Sequence, residues 1–362
     1  MAESPKVHRS IRNATTASGD KAHLRVRAML APVRGDGRVR AMPHNPHDTL
    51  FKRVFSQVEH AAGELSAVLP AELVAAVDFA TLRLEPGSFV DEELAERHAD
   101  LLYSVELRGR EAFIYLVFEH QSTVDALMVY RLLRYVCRVW ERWLADNPGA
   151  TKLPAVIPVV LHHGTSGWTA ATRLHELVDM PEELLAAVGR YVPDFELVLD
   201  DLSAVEGAEL FARALTAYAR LALWCFSISH AGEPDPTALA RGRQAIREVE
   251  AAPDARTALA TALRYLLGVL GDERKRIIDV LLEEDVGPLA KETYVTIADR
   301  LRSEGREEGR EEGREEGREE GREEGREEGR EEGREEERRS LLLRQLALKF
   351  GPLTAEAEER VR

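Results

Sequence analysis

Long hydrophobic runs are absent from this 362-residue chain. The longest apolar segments, residues 113–118 and 155–161, have the length of β-strands, whereas a membrane-spanning helix needs about 18–20 apolar residues. No segment resembles the hydrophobic region of a secretory signal peptide. Cysteine is scarce, because only Cys137 and Cys225 occur, and both lie in apolar helical patterns. We therefore expect two buried thiols without a disulfide, in a cytoplasmic protein that does not contact a membrane.

An excess of positive charge is also missing, since the formal net charge is −15. Taken alone, this value argues against nucleic-acid binding, because phosphate contacts need cations. The charge is unevenly distributed, however. Residues 305–336 consist of eight Gly-Arg-Glu-Glu units that carry −1 each, whereas residues 1–42 hold nine Lys or Arg against three Asp or Glu. Net charge therefore describes no single surface of this protein and does not exclude a DNA partner.

Composition and periodicity divide the chain into five predicted segments. Residues 1–43 are basic, show little periodicity and are expected to be disordered. This segment can be interpreted as a dispensable tail, as an over-long gene start with Met42 as the true first residue, or as an Arg-rich transit-like peptide. The other segments are predicted as an α/β half, a helical region, a repeat spacer and a short C-terminal helix, over residues 44–205, 206–300, 301–339 and 340–362.

Apolar periodicity predicts the elements of these segments. In the α/β half, strands are expected over residues 79–84, 100–107, 111–119, 156–162 and 195–199. Arg108-Gly109-Arg110 separates two of these strands, a spacing that is typical of a β-hairpin. Asp48 precedes an amphipathic pattern and suits the N-cap of a first helix. The helical region is predicted to form helices over residues 208–228, 237–250, 255–270 and 273–284.

Residues 123–146 show the clearest helical pattern in the chain. At 100° per residue, large apolar side chains fall on one face, and four arginines fall on the opposite face. These arginines are Arg131, Arg134, Arg138 and Arg142. They are interpreted either as a solvated face or as a surface that contacts DNA phosphates, because arginine makes bidentate phosphate contacts.

The Gly-Arg-Glu-Glu repeat has no apolar face to bury. Its four-residue period differs from the 3.6 residues of a helical turn, so each residue type drifts about 40° per repeat. Because a glycine in every unit also weakens a helix, we expect a solvated, partly helical, charged tail. Five apolar residues, Leu341, Leu342, Leu346, Leu348 and Phe350, follow it in a short amphipathic pattern. This end is interpreted either as a homo-oligomerisation element or as a terminal helix docked on its own chain.

Two acidic residues stand out at the predicted hairpin. Asp100 begins one strand and Glu119 ends the next, so an antiparallel pairing brings both carboxylates to the same edge of the sheet. Two carboxylates that converge beside apolar strands repel each other unless a cation lies between them. Mg²⁺ takes oxygen ligands and retains several waters, and the backbone carbonyl of His120 would be a third ligand. The pattern therefore predicts a site for Mg²⁺ or another divalent cation.

Several motifs around this pair occur together in one known family. They are Asn45-Pro46-His47-Asp48-x-x-Phe51-Lys52, Ala99-Asp100-Leu101-Leu102-Tyr103, Glu119-His120-Gln121-Ser122, Arg131-Leu132-Leu133-x-Tyr135 and Leu161-x-His163-Gly164 followed by Trp168. Over roughly residues 44–285 the chain resembles the Rpn family of recombination-promoting nucleases, also called YhgA-like transposases, within the PD-(D/E)xK nuclease superfamily. The resemblance implies a restriction-endonuclease-like α/β core with a central mixed sheet flanked by helices. It also implies metal-dependent DNA endonuclease activity with a role in recombination.

By position in the family motifs, Asp100 and Glu119 would bind the metal, Gln121 would take the place of the superfamily's lysine, and Asp48 would support the site. Neutral glutamine can hydrogen-bond but brings no charge, so Arg131 or Lys52 is expected to supply the missing cation. We expect low sequence specificity, because no base-reading module is recognisable in the sequence. The alternative function is a non-catalytic DNA-binding or assembly protein that retains a nuclease fold.

Overall fold

A mixed five-stranded sheet lies at the centre of the protein. The computed structural model describes residues 45–86, 99–120, 124–230, 232, 234–271, 274–283, 286–352, 354 and 359. The strands are β1 (Val77–Leu84), β2 (Ala99–Leu107), β3 (Arg110–Glu119), β4 (Ala155–His162) and β5 (Val198–Asp201). They lie side by side in chain order, antiparallel from β1 to β3 and parallel from β3 to β5. The predicted α/β class with a mixed sheet is confirmed.

The predicted hairpin is the connection between β2 and β3. Arg108 and Gly109 have φ angles of 47° and 74°, so both adopt the left-handed conformation. A two-residue turn with both residues at positive φ matches the twist of paired strands. The register runs without a shift from Leu107 opposite Arg110 to Ala99 opposite Phe118. The turn therefore determines which residues of β2 and β3 share a face.

Eleven α-helices occur among the described residues. They are α1 (Pro46–Phe55), α2 (Val58–Val68), α3 (Ala71–Val74), α4 (Met128–Asp146), α5 (Glu182–Val188), α6 (Gly207–Ala212), α7 (Ala217–His230), α8 (Pro236–Glu250), α9 (Ala255–Val269), α10 (Arg276–Glu283) and α11 (Pro288–Phe350). The helix predicted over residues 208–228 is divided into α6 and α7, and the other helices of this region lie close to their predicted bounds.

Both faces of the sheet are covered by helices. On one face, Phe113, Tyr115 and Val117 of β3 pack in a cluster with the buried side of α4. On the other face, Ile114 and Phe118 belong to a larger core that also contains residues of α1, α2 and α7–α11. Burial on both sides explains why β3 is continuously apolar instead of alternating. Residues before and after position 205 share this larger core, and the predicted boundary there stays a prediction.

Two local expectations are wrong. The N-cap of α1 is Asn45, whose side chain accepts a hydrogen bond from the His47 N–H at 3.0 Å, and Asp48 lies inside the first turn. The helix begins earlier than predicted because Pro46 suits the first helical position, where its missing N–H has no cost. Cys137 is exposed, since it lies on the outer side of α4, whereas Cys225 is buried as expected.

The last helix, α11, extends for 63 residues through the repeat and through the apolar residues that follow it. The sequence predicted a spacer and then a separate short helix, and the structure differs by joining them. From Gly305 to Leu342, every residue whose burial is described is exposed, so these glycines meet no packing constraint. Within the described residues, no helix is both long and apolar enough to cross a bilayer.

Candidate active site

The candidate site lies where β2 begins and where β3 and β4 end. Asp100 stands opposite Val117 in the β2–β3 register, and Glu119 is two residues farther along β3. Asp100 and Glu119 therefore point to the same face of the sheet, the face that α4 covers. Diagonal neighbours of this kind lie about 7–8 Å apart.

Tyr115 holds the Asp100 side chain through a hydrogen bond. The buried Tyr115 hydroxyl donates a hydrogen bond to Asp100 Oδ2 at 2.5 Å. The second oxygen, Asp100 Oδ1, is also buried but has no hydrogen-bond partner among the described residues. Burial raises the pKa of Asp100 to about 6, although the hydrogen bond from Tyr115 and the charges of Arg131 and Lys52 act in the opposite direction. A buried anionic oxygen without a donor is suited to a cation.

Glu119 is paired with Arg131. The carboxylate is almost fully buried, and its Oε2 lies 3.2 Å from Arg131 Nη2. The other terminal nitrogen of Arg131 lies 3.0 Å from Asp125 Oδ2. Arg131 therefore brings a positive charge from α4 to Glu119, and its predicted role in place of a lysine stays a prediction.

The other three arginines of α4 have a different environment from Arg131. Arg134, Arg138 and Arg142 are exposed. Arg138 lies 3.5 Å from Glu141, and Arg142 lies 3.2 Å from Asp146. Such exposed pairs contribute little to stability. Of the four arginines that were predicted on one face of this helix, Arg131 therefore lies at the site and the other three lie on the surface.

Helix α1 contributes Asp48 and Lys52, which lie one turn apart. Asp48 raises the pKa of Asp100 and Lys52 lowers it, so both residues act on the same carboxyl group. Asp48 Oδ1 is 3.1 Å from Nε2 of His120, and this ring nitrogen also receives a hydrogen bond from Asn45 Nδ2 at 2.9 Å. The His120 side chain therefore joins the end of β3 to the start of α1.

Asp100 and Glu119 are the residues of this site that could hold a divalent cation, together with waters. Asp100 Oδ1 is buried and has no hydrogen-bond donor in the described part of the chain, whereas Asp48 Oδ1 has Nε2 of His120 at 3.1 Å. In that part, no three His, Cys, Asp or Glu side chains form a ready-made metal cluster. Mg²⁺ usually takes only one or two carboxylates and keeps several waters. Gln121, which the sequence placed in the site, lies outside the described residues.

The contacts within a group of aromatic and histidine side chains behind the site were not predicted from the sequence. The ring of His47 stacks on His120 at 5.2 Å, and its Nδ1 lies 2.9 Å from the hydroxyl of Tyr265 on α9. His163, which follows β4, lies 5.3 Å from His47 and bonds through Nε2 to the carbonyl of Phe226 on α7. The helical region therefore holds α1 over the sheet edge. No periodicity links residues 47 and 265, so no local signal reveals this contact.

Comparison with known proteins matches the chain to a family. The family described as "Putative transposase, YhgA-like" matches residues 45–227. The chain is 32% identical over 272 residues to the inactive recombination-promoting nuclease-like protein RpnE of Escherichia coli (strain K12), which covers 72% of this chain and 83% of RpnE. It is 31% identical over 264 residues to the recombination-promoting nuclease RpnD of Escherichia coli O157:H7, with 72% and 95% covered.

The recombination-promoting nuclease RpnA of Escherichia coli (strain K12) is 30% identical over 262 residues, which cover 72% of this chain and 84% of RpnA. No solved structure matches the chain. The matched region includes α1, the sheet and α4, which together carry Asp48, Asp100, Glu119 and Arg131. The chain therefore belongs to the YhgA-like family, together with the Rpn proteins.

Proposed function

We propose that this protein is a divalent-metal-dependent DNA endonuclease that promotes DNA recombination with low sequence specificity. The observation that carries the proposal is the placement of Asp100 and Glu119 on one face of the sheet edge, with Asp100 Oδ1 buried and without a donor. Two of the relatives described above are named recombination-promoting nucleases. We further propose that the sheet and its helices are a restriction-endonuclease-like core.

Each residue of the site would have a separate role in phosphodiester cleavage. Asp100, Glu119 and the backbone carbonyl of His120 would hold Mg²⁺, which would activate a water and neutralise charge on the phosphate. Tyr115 donates a hydrogen bond to Asp100 Oδ2, so Oδ1 is the oxygen that would bind the ion. Arg131 orients Glu119 and supplies the positive charge that a lysine provides elsewhere in the superfamily. Outside the site, Arg134, Arg138 and Arg142 would contact DNA phosphates, which carry no sequence information.

Nicking of a supercoiled plasmid tests the proposal. We expect the full-length protein to nick the plasmid in Mg²⁺ and to be inactive in EDTA. Asp100→Ala should lower the nicking rate by about 100-fold or more, because metal ions contribute several kcal/mol of transition-state stabilisation. Glu106→Gln is the matched control, since Glu106 is an exposed carboxylate near the other end of β2. Equal nicking by the wild type and by Asp100→Ala would overturn the assignment.

A second candidate function is a non-catalytic DNA-binding or assembly protein with a nuclease fold. The name of the relative RpnE, which includes the word inactive, favours this alternative. So do the exposed apolar residues near the end of α11, including Leu341, Leu342 and Phe350. These side chains also support our proposal that the chain forms a homo-oligomer through its C-terminal end.

Deletion of residues 304–362 separates the two functions. Among the described residues, the core includes Ile297 and extends no farther than Leu301, so the deletion should change the free energy of unfolding by less than about 1 kcal/mol. If the protein is an endonuclease, metal-dependent nicking survives while self-association, measured by sedimentation, is lost. Complete loss of nicking with unchanged unfolding would instead favour assembly as the main role.

A further inference from the structure

Two large apolar side chains are exposed beside the candidate site, at the start of α4. Leu127 and Tyr130 are 55% and 50% exposed. The next residue, Arg131, reaches Glu119, so this end of α4 is the end at the site. The apolar side of the helix is occupied by the sheet, where Val129 and Leu132 are fully buried. Leu127 and Tyr130 therefore belong to the solvent-facing side.

Exposed arginines follow Tyr130 along the same side of α4. At 100° per residue, Leu127, Tyr130 and Arg134 fall within about 60° of one another around the helix axis. Arg134 is exposed and follows Tyr130 by one turn. Along the axis of α4, the exposed ring of Tyr130 therefore lies between the end of the helix that is at the site and the exposed arginines that follow it. An aromatic ring next to cations is the arrangement by which proteins bind unpaired nucleotides, with the base stacked on the ring and the backbone held by charge.

We infer that Tyr130 is a stacking platform for an unpaired base next to the scissile phosphate, and that Arg134 contacts the adjoining phosphate. In a regular duplex both faces of each base are covered by its neighbours, so the ring of Tyr130 has no base face to contact. An unpaired base exposes such a face. The preferred substrate would then be DNA with a single-stranded segment, such as a flap, a gap or a frayed end. The cleavage part of this inference rests on the proposed function, whereas the binding part does not.

Binding is measured first, on full-length Asp100→Ala protein in EDTA. The probes are a single-stranded oligonucleotide containing 2-aminopurine, whose fluorescence falls on stacking, and a blunt duplex of equal length. Adding Tyr130→Ala should weaken single-strand binding by between about 5-fold and about 100-fold, the range for one stacked base. Duplex binding should not change. Tyr130→Trp should restore both affinity and quenching, and Tyr130→Leu should not, because leucine has no ring.

The matched control is Tyr191→Ala, which removes a tyrosine that is 80% exposed outside α4. Its single-strand affinity should equal that of the parent protein. Loss of affinity for both probes by the same factor would overturn the inference, as would unchanged single-strand binding in Tyr130→Ala. Each variant is first compared with its parent by urea unfolding, which should agree because Tyr130 is half exposed.

Cleavage of a flapped duplex and of a blunt duplex is then compared in Mg²⁺ without the Asp100 substitution. Tyr130→Ala should lower kcat/KM for the flap, mainly through KM, and leave the blunt duplex unaffected. If the protein cleaves neither substrate, the proposed endonuclease function fails, and the fluorescence measurements still decide whether Tyr130 stacks on a base. If both are cleaved and Tyr130→Ala affects them equally, the nuclease function stands and the stacking role is wrong.

Discussion

Asp100→Asn is expected to abolish cleavage and, at neutral pH, to make the metal-free protein more stable than the wild type. Burial raises the pKa of Asp100 to about 6, compared with about 3.9 for an unperturbed aspartate. Ionisation of this group therefore costs more in the folded protein than in the unfolded chain. Asparagine avoids that cost and can still accept the hydrogen bond of Tyr115 through its carbonyl oxygen.

The pH range of this effect follows from the direction of the shift. At pH 4 the carboxyl is protonated in the folded protein and about half protonated in the unfolded chain, so the two proteins should differ in stability by no more than about 0.5 kcal/mol. As pH rises towards 6, the unfolded chain ionises first and the wild type loses stability. Above pH 6 the difference levels off, on the order of 2 kcal/mol in favour of Asp100→Asn.

Urea unfolding at pH 4 and pH 7 in EDTA measures the difference. Glu106→Gln is the control and should behave as the wild type at both pH values, because Glu106 is exposed. Mg²⁺ should then stabilise the wild type but not Asp100→Asn, since only the protein that binds the ion gains from it. A wild type that is more stable than Asp100→Asn at pH 7 without metal would contradict the prediction.

Among the substitutions proposed for this protein, Arg213→Met is expected to lower the free energy of unfolding most. Arg213 lies between two buried carboxylates, 2.6 Å from Asp200 at the end of β5 and 3.1 Å from Glu64 on α2. Burial, followed by the negative charge of Asp200, raises the pKa of Glu64 well above its ordinary value. Methionine retains the apolar stem of arginine but not its charge. Removing one partner of a buried ion pair costs about 3–5 kcal/mol.

Equilibrium unfolding in urea measures this loss, and Arg173→Met is the matched control. Arg173 also pairs with an aspartate, Asp194, at 2.6 Å, but its side chain is 56% exposed. An exposed pair contributes at most about 1 kcal/mol. Adding Asp200→Asn to Arg213→Met should recover part of the stability, because it removes one of the two buried charges. A cost of Arg213→Met equal to that of Arg173→Met would show that the network is not important for stability.

The sequence by itself was sufficient for the parts of the site that depend on local geometry. The hairpin requires only a two-residue turn between two apolar strands, and its register then places Asp100 and Glu119 on the same face. The helix over residues 128–146 also follows from periodicity, because the spacing of its apolar residues identifies its buried face. The two carboxylates alone indicated a cation site, and the family resemblance added the expectation of DNA endonuclease activity, which local patterns do not contain.

Only the tertiary structure determines which charged side chains form ion pairs with each other. Arg131 and Arg134 look alike in the sequence, yet one is paired with Glu119 and the other is exposed. Arg213 fell within a predicted continuous helix, and in the structure it lies between α6 and α7, where it reaches Glu64, 149 residues away. The difference has a physical reason. Turns and helix faces follow from spacings of a few residues, whereas buried ion pairs depend on how distant segments pack, which no local spacing records.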